Sequence, residues 1–294
     1  MRQLILVHGR AQENKDGAAL KKDWIAAWEK GLAKSNLKNP LSDQDIHFPY
    51  YGDTLIQMVG GKTAAEAAEV VIKGAKPGTS AEEAIIREMI TEIAMHEGIS
   101  ESDIRAEVGP DVVAKGGPLN WGWVQGIMTL LDRSKEISAT LVALVTADVA
   151  KYLSNAAIQK SINDGVLKAI KPGQEAVIVS HSLGTVVAYQ VLMSRPTQFP
   201  ATKVPLFVTL GSPLGVNAVQ SRIKPHSFPP AVGAWYNAMD PDDVVPLYPL
   251  SKKHFDTGGQ IENNQNVDNW TDNQHGIAGY LDDKEVAKRI YDAL

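Results

Sequence analysis

Short runs of apolar residues recur along this chain and are separated by segments with helical spacing. The runs lie at 3–7, 176–179 and 206–210, with two further candidates at 45–50 and 234–239. Continuous apolar runs of this length are typical of strands buried on both faces, as in a parallel sheet covered by helices. Helical spacing is found at 18–34 and 183–193. This alternation predicts an α/β fold with a mostly parallel central sheet flanked by helices.

The middle of the chain has a different pattern. Residues 55–155 contain predicted helices at 64–73, 81–97 and 135–154, without a strand signal of comparable quality. We therefore predict a single domain over residues 1–294 that carries a helical cap or lid inserted at 55–155.

Within this insertion, apolar residues follow the helix breaker Gly116-Gly117-Pro118. If the insertion moves as a lid, Trp121, Trp123 and Met128 would line a pocket for an acyl chain. The alternative is that these side chains form the core of the cap or a homodimer contact. An ester series assayed with Trp123→Ala distinguishes the two interpretations.

Composition and charge exclude several classes of protein. The 294 residues carry 29 basic and 34 acidic side chains, a net charge of −5, and show no long basic run. Nucleic-acid binding is therefore not expected, because phosphates require a basic surface. The absence of cysteine excludes disulfides, thiolate metal sites and cysteine nucleophiles, and is compatible with a reducing cytosol. We expect a cytoplasmic protein without a signal peptide or a membrane span.

Motifs for cofactors and metals are also missing from the sequence. Neither a His-Glu-x-x-His pair nor a dinucleotide-binding Gly-x-Gly-x-x-Gly is present. The segment Gly60-Gly61-Lys62-Thr63 lacks the first glycine of a phosphate-binding loop, because Ile56 occupies that position. We therefore expect no cofactor and no metal.

The strongest chemical signal lies at 175–188. An apolar strand runs into Ser180-His181-Ser182-Leu183-Gly184, and an apolar helix leaves it. This small-x-Ser-x-Gly pattern resembles the nucleophile elbow of the α/β-hydrolase superfamily, which includes lipases and esterases. Such a turn exposes the serine oxygen and directs the helix N-terminus at the reacting centre. Ser180 stands where glycine is commoner, and the alternative role for Ser182 is to cap the helix.

The family resemblance implies an acid and then a histidine, in that order, after the serine. Asp-x-Val-Pro, which resembles the acid loop of several lipases, places the acid at Asp243. Asp242 fits a looser spacing and Asp240 lies nearest the end of the strand, so both stay open as alternatives. Asp240-Pro241 is also a common turn.

Seven histidines compete for the role of base: His8, His47, His96, His181, His226, His254 and His275. His275 is preferred because His-Gly-x-x-Gly-Tyr lies in a late loop before a C-terminal helix, where the family carries its histidine. His181 is expected to point away from the serine oxygen. Activity is expected to rise between about pH 6 and 8 as His275 loses its proton.

The turn His8-Gly9-Arg10 resembles the one that supplies half of the oxyanion hole in this family. The resemblance implies that the backbone N–H groups of Leu183 and Arg10 are the donors. The loop 209–215 resembles a substrate-lining loop of lipase-like hydrolases, although a simple Gly-Ser-Pro turn explains it equally well.

Together, these patterns predict a serine hydrolase that cleaves lipid-like or medium-chain carboxylic esters through an acyl-enzyme. An acyltransferase, an amidase and a non-catalytic binding protein of the same fold are the alternatives. The expected partner is a small-molecule ester or a lipid. Contact with a membrane or lipid surface and the oligomeric state stay open.

Overall fold

The sheet is the centre of this structure, a computed structural model that describes residues 2–9, 16–51, 72, 79–134, 138–194 and 203–294. Its strands are β1 (Gln3–Val7), β2 (Ile46–His47), β3 (Ala176–His181), β4 (Val204–Leu210), β5 (Val232–Ala238) and β6 (Ile261–Asn264). They lie in the order β2-β1-β3-β4-β5-β6, and every neighbouring pair is parallel. The predicted α/β fold with a parallel sheet is confirmed.

Helices connect the strands and cover both faces of the sheet. Within the described ranges they are α1 (Gly17–Ala33), α2 (Ser80–His96), α3 (Glu101–Ala114), α4 (Trp121–Arg133), α5 (Ala139–Ser154), α6 (Ala156–Ala169), α7 (Leu183–Ser194), α8 (Asn217–Gln220), α9 (Ile277–Asp282) and α10 (Lys284–Tyr291). No single helix in this part of the chain has the length and apolar content to cross a membrane. The pair α5 and α6 reaches them only when joined across a 96° bend.

Alternate side chains of each central strand enter two separate cores. In β1, Leu4 and Leu6 pack with Trp24 and Trp28 of α1, in a core that also takes up α9 and α10. Ile5 and Val7 point to the other face and join the opposite core, which also contains residues of α7 and of the helices between β2 and β3. This period of two explains why the strands appear in the sequence as continuous apolar runs.

The helices α2 to α5 fall within the predicted insertion between β2 and β3. The helix predicted at 64–73 lies, apart from residue 72, outside the described residues. Trp121, Trp123 and Met128 are all buried on α4, in the same core as one face of the sheet. Their contact with substrate and the movement of the segment as a lid remain predictions.

Several element boundaries differ from the sequence prediction for physical reasons. The strand predicted at 45–50 is only the two residues of β2, and β6 gave no signal because its sequence Ile-Glu-Asn-Asn is polar and half-exposed. The sequence did not predict α3, because Gly109-Pro110 is a typical helix breaker. The helix continues across a kink at this pair, where Gly109 has φ 75° and ψ 171°. The helix expected from residue 135 begins at Ala139, because the Ser138 side chain caps it.

Candidate active site

Ser182 lies in the sharp turn between β3 and α7. Its φ of 55° falls in the left-handed region, which costs a residue with a side chain about 1–3 kcal/mol. Two hydrogen bonds hold this conformation: the Ser182 N–H donates to the Leu210 carbonyl at 3.0 Å, and the Thr185 N–H donates to the Ser182 carbonyl at 2.9 Å. The turn has the strand-to-helix geometry that the sequence pattern indicates.

The residues two positions before and after Ser182 explain how this turn fits. A Cβ atom on Gly184 would collide with the carbonyl oxygens of Val7 and His8, so the start of α7 lies directly against the end of β1. Ser180 is buried, and its hydroxyl donates to the carbonyl of Val208 in β4 at 2.8 Å. Serine is therefore accommodated where glycine is commoner, because the neighbouring strand satisfies its hydroxyl.

Ser182, His275 and Asp243 form a continuous chain of hydrogen bonds. His275 Nδ1 lies 2.7 Å from Asp243 Oδ2, and His275 Nε2 lies 2.8 Å from Ser182 Oγ. An ionised carboxylate can only accept, so Nδ1 carries the proton and the lone pair of Nε2 faces the serine hydroxyl. This tautomer is the one that a general base for Ser182 requires.

All three side chains are enclosed. Ser182 is 1% exposed, Asp243 3% and His275 5%. The sequence pattern indicated an exposed serine oxygen, and the structure corrects this. Enclosure strengthens the electrostatic interactions within the site by excluding water.

The other two candidate acids have different positions. Asp242 is exposed. Asp240 is buried, and its carboxylate accepts from the N–H of Asn269 at 2.6 Å and from the N–H of Asp242 at 2.8 Å. Burial raises the pKa of Asp240, and these two hydrogen bonds oppose the rise. Asp243 is thus the carboxylate that meets His275, while Asp240 anchors the loop that carries the histidine.

That loop, residues 267–276, is called here the histidine loop, and side-chain hydrogen bonds hold it. Asn269 donates to the carbonyl of Gly276 at 2.9 Å, and its amide oxygen accepts from the Thr271 hydroxyl at 2.6 Å. Trp270 on the same loop is 61% exposed, and its indole N–H donates to Asp282 at 3.1 Å. The loop is therefore fixed on its inner side and presents one large aromatic ring to solvent.

Two further histidines pack close to the site. His181 Nε2 donates to the carbonyl oxygen of His275 at 2.8 Å, so its side chain supports the histidine loop. Burial, and then the neighbouring His275, lowers the pKa of His181 well below its ordinary value. His8 Nε2 accepts from the Tyr51 N–H at 3.1 Å, and burial lowers the pKa of His8 to about 4. Both imidazoles are therefore neutral near pH 7.

The predicted oxyanion donors are described only in part. Leu183 is the first residue of α7, so its N–H has no acceptor within the helix and lies at the positive end of the helix dipole. Arg10 lies outside the described residues. A Cβ on the preceding Gly9 would lie 2.7 Å from Ser182 Cβ, so the chain leaving β1 passes directly against the serine.

Two residues that contact this site, Tyr280 and Gly211, had no role predicted from the sequence. Tyr280 donates its hydroxyl to Asp243 Oδ2 at 2.6 Å. Gly211 has a φ of 53°, and a Cβ there would lie 3.1 Å from both His275 Cε1 and the Tyr280 ring. The signal for Tyr280 was the last position of His-Gly-x-x-Gly-Tyr, and the signal for Gly211 was the loop 209–215.

Comparisons with protein-family models and with curated proteins found no match to this chain. A serine hydroxyl at a helix N-terminus, an imidazole beside it and a carboxylate behind the imidazole are the groups that a serine nucleophile with a general base requires.

Proposed function

We propose that this chain is a serine hydrolase with the α/β-hydrolase fold, which cleaves carboxylic esters through an acyl-enzyme. The observation that carries the proposal is the hydrogen-bonded chain from Asp243 through His275 to Ser182. The topology supports it: the serine follows the central strand β3, the acid follows β5 and the histidine follows β6. This is the order of serine, acid and histidine in the family that the sequence resembles.

In the first step, Ser182 Oγ forms a bond to the ester carbonyl carbon while its proton moves to His275 Nε2. The carbonyl oxygen becomes an oxyanion, which the N–H of Leu183 and the N-terminus of α7 stabilise. Asp243 keeps the imidazole oriented and stabilises its positive charge without taking the proton.

In the second step, the carbon–oxygen bond to the alcohol breaks, and His275 donates its proton to the departing alkoxide. Water then attacks the acyl-serine while His275 accepts one of its protons. Collapse of this second tetrahedral intermediate releases the carboxylic acid and returns the proton to Ser182.

For the substrate, we propose a lipid-like or medium-chain acyl group. Leu183, beside the nucleophile, belongs to the same buried apolar cluster as Trp121, Trp123 and Met128 of the helical segment. The residue next to the nucleophile and the helices α2 to α5 thus share one apolar core, and this apolar surrounding favours an apolar acyl group. The cytoplasmic location remains a prediction.

Replacement of Ser182 by alanine tests the activity directly. We expect Ser182→Ala to lower kcat/KM for p-nitrophenyl esters by about 10³-fold or more, because the nucleophile is removed. It should also abolish labelling by a fluorophosphonate probe. Wild type should cleave medium-chain esters faster than acetate. The exposed Ser221→Ala is the control and should retain both activity and labelling.

An unlabelled, inactive wild type would contradict the hydrolase proposal and favour a binding protein of the same fold. An active Ser182→Ala variant would exclude Ser182 as the nucleophile. Faster turnover of amides than of esters, or acyl transfer to an added alcohol in preference to water, would move the proposal to the amidase or the acyltransferase.

A series of aspartate replacements tests the identity of the acid. We expect Asp243→Asn to lower kcat about 10³- to 10⁴-fold, because the imidazole loses the acceptor that fixes its tautomer. Asp240→Asn should show a smaller loss, since it loosens the histidine loop without touching the imidazole. The exposed Asp242→Asn should change kcat less than about twofold. Steady-state kinetics with one ester give the ranking, and a larger loss in Asp242→Asn or Asp240→Asn would contradict the assignment.

A further inference from the structure

We infer that Tyr280 is a positioning residue for the triad, which holds the Asp243 carboxylate in line with His275 and limits how strongly that carboxylate attracts the imidazole proton. The inference rests on the proposed function, because it concerns the same three catalytic side chains. Tyr280 is fully buried on α9, five residues after His275, so one short segment supplies both the base and the support of its acid.

The direction of the Tyr280 hydroxyl proton follows from its two partners. The Asp240 backbone N–H donates to the Tyr280 oxygen at 3.2 Å, which occupies an acceptor position of the hydroxyl. The one hydroxyl proton is then donated to Asp243 Oδ2 at 2.6 Å. Burial and the nearby Asp243 charge raise the pKa of Tyr280 well above its ordinary value, so the hydroxyl keeps this proton wherever the site is active.

Tyr280 and His275 donate to the same carboxylate oxygen. Asp243 Oδ2 accepts from Tyr280 at 2.6 Å and from His275 at 2.7 Å, while Oδ1 accepts from the Val245 N–H at 2.9 Å. Three donors fix the rotation of the carboxyl group. Two of these donors, Tyr280 and His275, bind the same oxygen. The hydrogen bond from Tyr280 therefore weakens the electrostatic attraction between that oxygen and the imidazole.

Among the residues that the structure describes, the other ionisable groups that face this cluster are His181 on β3 and Asp240 in the loop after β5. The His181 ring lies 5.8 Å from the Tyr280 ring and 4.7 Å from the His275 ring, and its lowered pKa keeps it neutral. The Asp240 carboxylate accepts from two backbone N–H groups, and neither bond depends on the tyrosine hydroxyl, whereas the Asp240 N–H loses its acceptor when that hydroxyl is removed. Within the triad, Tyr280→Phe therefore removes one hydrogen bond, the one from the tyrosine hydroxyl to Asp243.

The main test is Tyr280→Phe, which keeps the ring and removes the hydroxyl. We expect kcat to fall about tenfold, because the carboxylate loses one of its three restraints, while KM changes less than about twofold. The acid limb of the pH–activity profile should move to higher pH by about half a unit, since the undivided charge of Asp243 stabilises the protonated imidazole. If Tyr280 had a purely structural role, Tyr280→Phe would lower kcat or stability, and the acid limb of the pH–activity profile would stay at the wild-type pH.

Tyr189→Phe is the matched control. Tyr189 is also buried, and its hydroxyl also makes one donated and one accepted hydrogen bond, in this case both with the backbone of Ser227, at 3.1 Å. This variant should lose stability to a similar degree and keep the wild-type kcat and pH profile. An equal shift of the acid limb in both variants would overturn the inference.

Proton NMR gives a readout that does not depend on turnover. In wild type, the Tyr280 hydroxyl proton should give a slowly exchanging downfield resonance that moves upfield in Asp243→Asn. This measurement needs no folded Tyr280 variant, and an unchanged resonance would overturn the inference. If wild type shows no esterase activity and no probe labelling, the proposed function fails; if wild type is active and Tyr280→Phe matches it in kcat and pH profile, only the role of Tyr280 fails.

Discussion

At the scale of single residues, the neutral imidazole of His8 couples the stability of the protein to pH. Its ring is 1% exposed and stacks on Tyr51 at 3.9 Å between centroids. Burial lowers its pKa from 6.5 to about 4. Between these two pH values the unfolded chain binds a proton that the folded protein does not, so the free energy of unfolding falls as the pH is lowered through this window.

We expect this single group to remove about 3 kcal/mol of stability between pH 6.5 and pH 4. Urea unfolding at several pH values measures the effect. His8→Gln should be less stable at pH 7 and show a shallower loss below pH 6.5, with a remainder from His181, whose pKa is lowered in the same direction. The exposed His96→Gln is the control; curves for wild type and His8→Gln that stay parallel would contradict the prediction.

Some residues of the candidate site could be predicted from the sequence, and others could not. Ser182 and His275 were identifiable because each lies in a local pattern with a chemical meaning. The choice of Asp243 over Asp240 and Asp242 depends on where three adjacent carboxylates point after a turn, which only the folded loop decides. Tyr280 was quoted in its motif without a role, because its partner lies 37 residues earlier in the chain.

At the scale of elements, the close approach of α7 to β1 makes Gly184 a sensitive position. A methyl group there would collide with two backbone carbonyls that cannot move independently of the sheet. We expect Gly184→Ala to destabilise the protein by about 3 kcal/mol or more. Thermal unfolding measures this loss, and the same displacement of α7 should reduce labelling of Ser182.

Gly165 provides the contrast within another helix. It lies inside α6, and nothing lies within 4 Å of the position that its Cβ would occupy. Gly165→Ala should therefore stabilise the protein by up to about 1 kcal/mol, through the higher helix propensity of alanine. If both alanine variants changed stability by the same amount and sign, the packing argument for Gly184 would be wrong.

Elements were predictable from the sequence where burial alone determines them. β1, β3 and β4 are buried along nearly their whole length, so their apolar runs stand out. β6 is an edge strand whose polar side chains carry no such signal, and its place is decided by pairing with β5. In the kinked helix α3, Ile104 is the one buried residue, so the apolar periodicity of this segment is weak.

At the scale of the whole molecule, the parallel sheet brings together side chains that are far apart in the sequence. Ser182 and His275 are 93 positions apart, and Asp243 and His275 are 32 apart. Each follows a strand that ends at the same edge of the sheet, which is where ligands bind in open α/β sheets. The parallel sheet therefore determines at which edge the site lies, whereas the distances within the site depend on loops that periodicity does not describe.

The exposed ring of Trp270 makes the histidine loop observable by fluorescence. The chain has six tryptophans, of which the other five are at most 5% exposed. A water-soluble quencher such as iodide should therefore reach Trp270 and spare the rest. Because Trp270 precedes His275 by five residues on the same hydrogen-bonded loop, the quenchable fraction of the emission reports on the surroundings of His275 without any label attached to the protein.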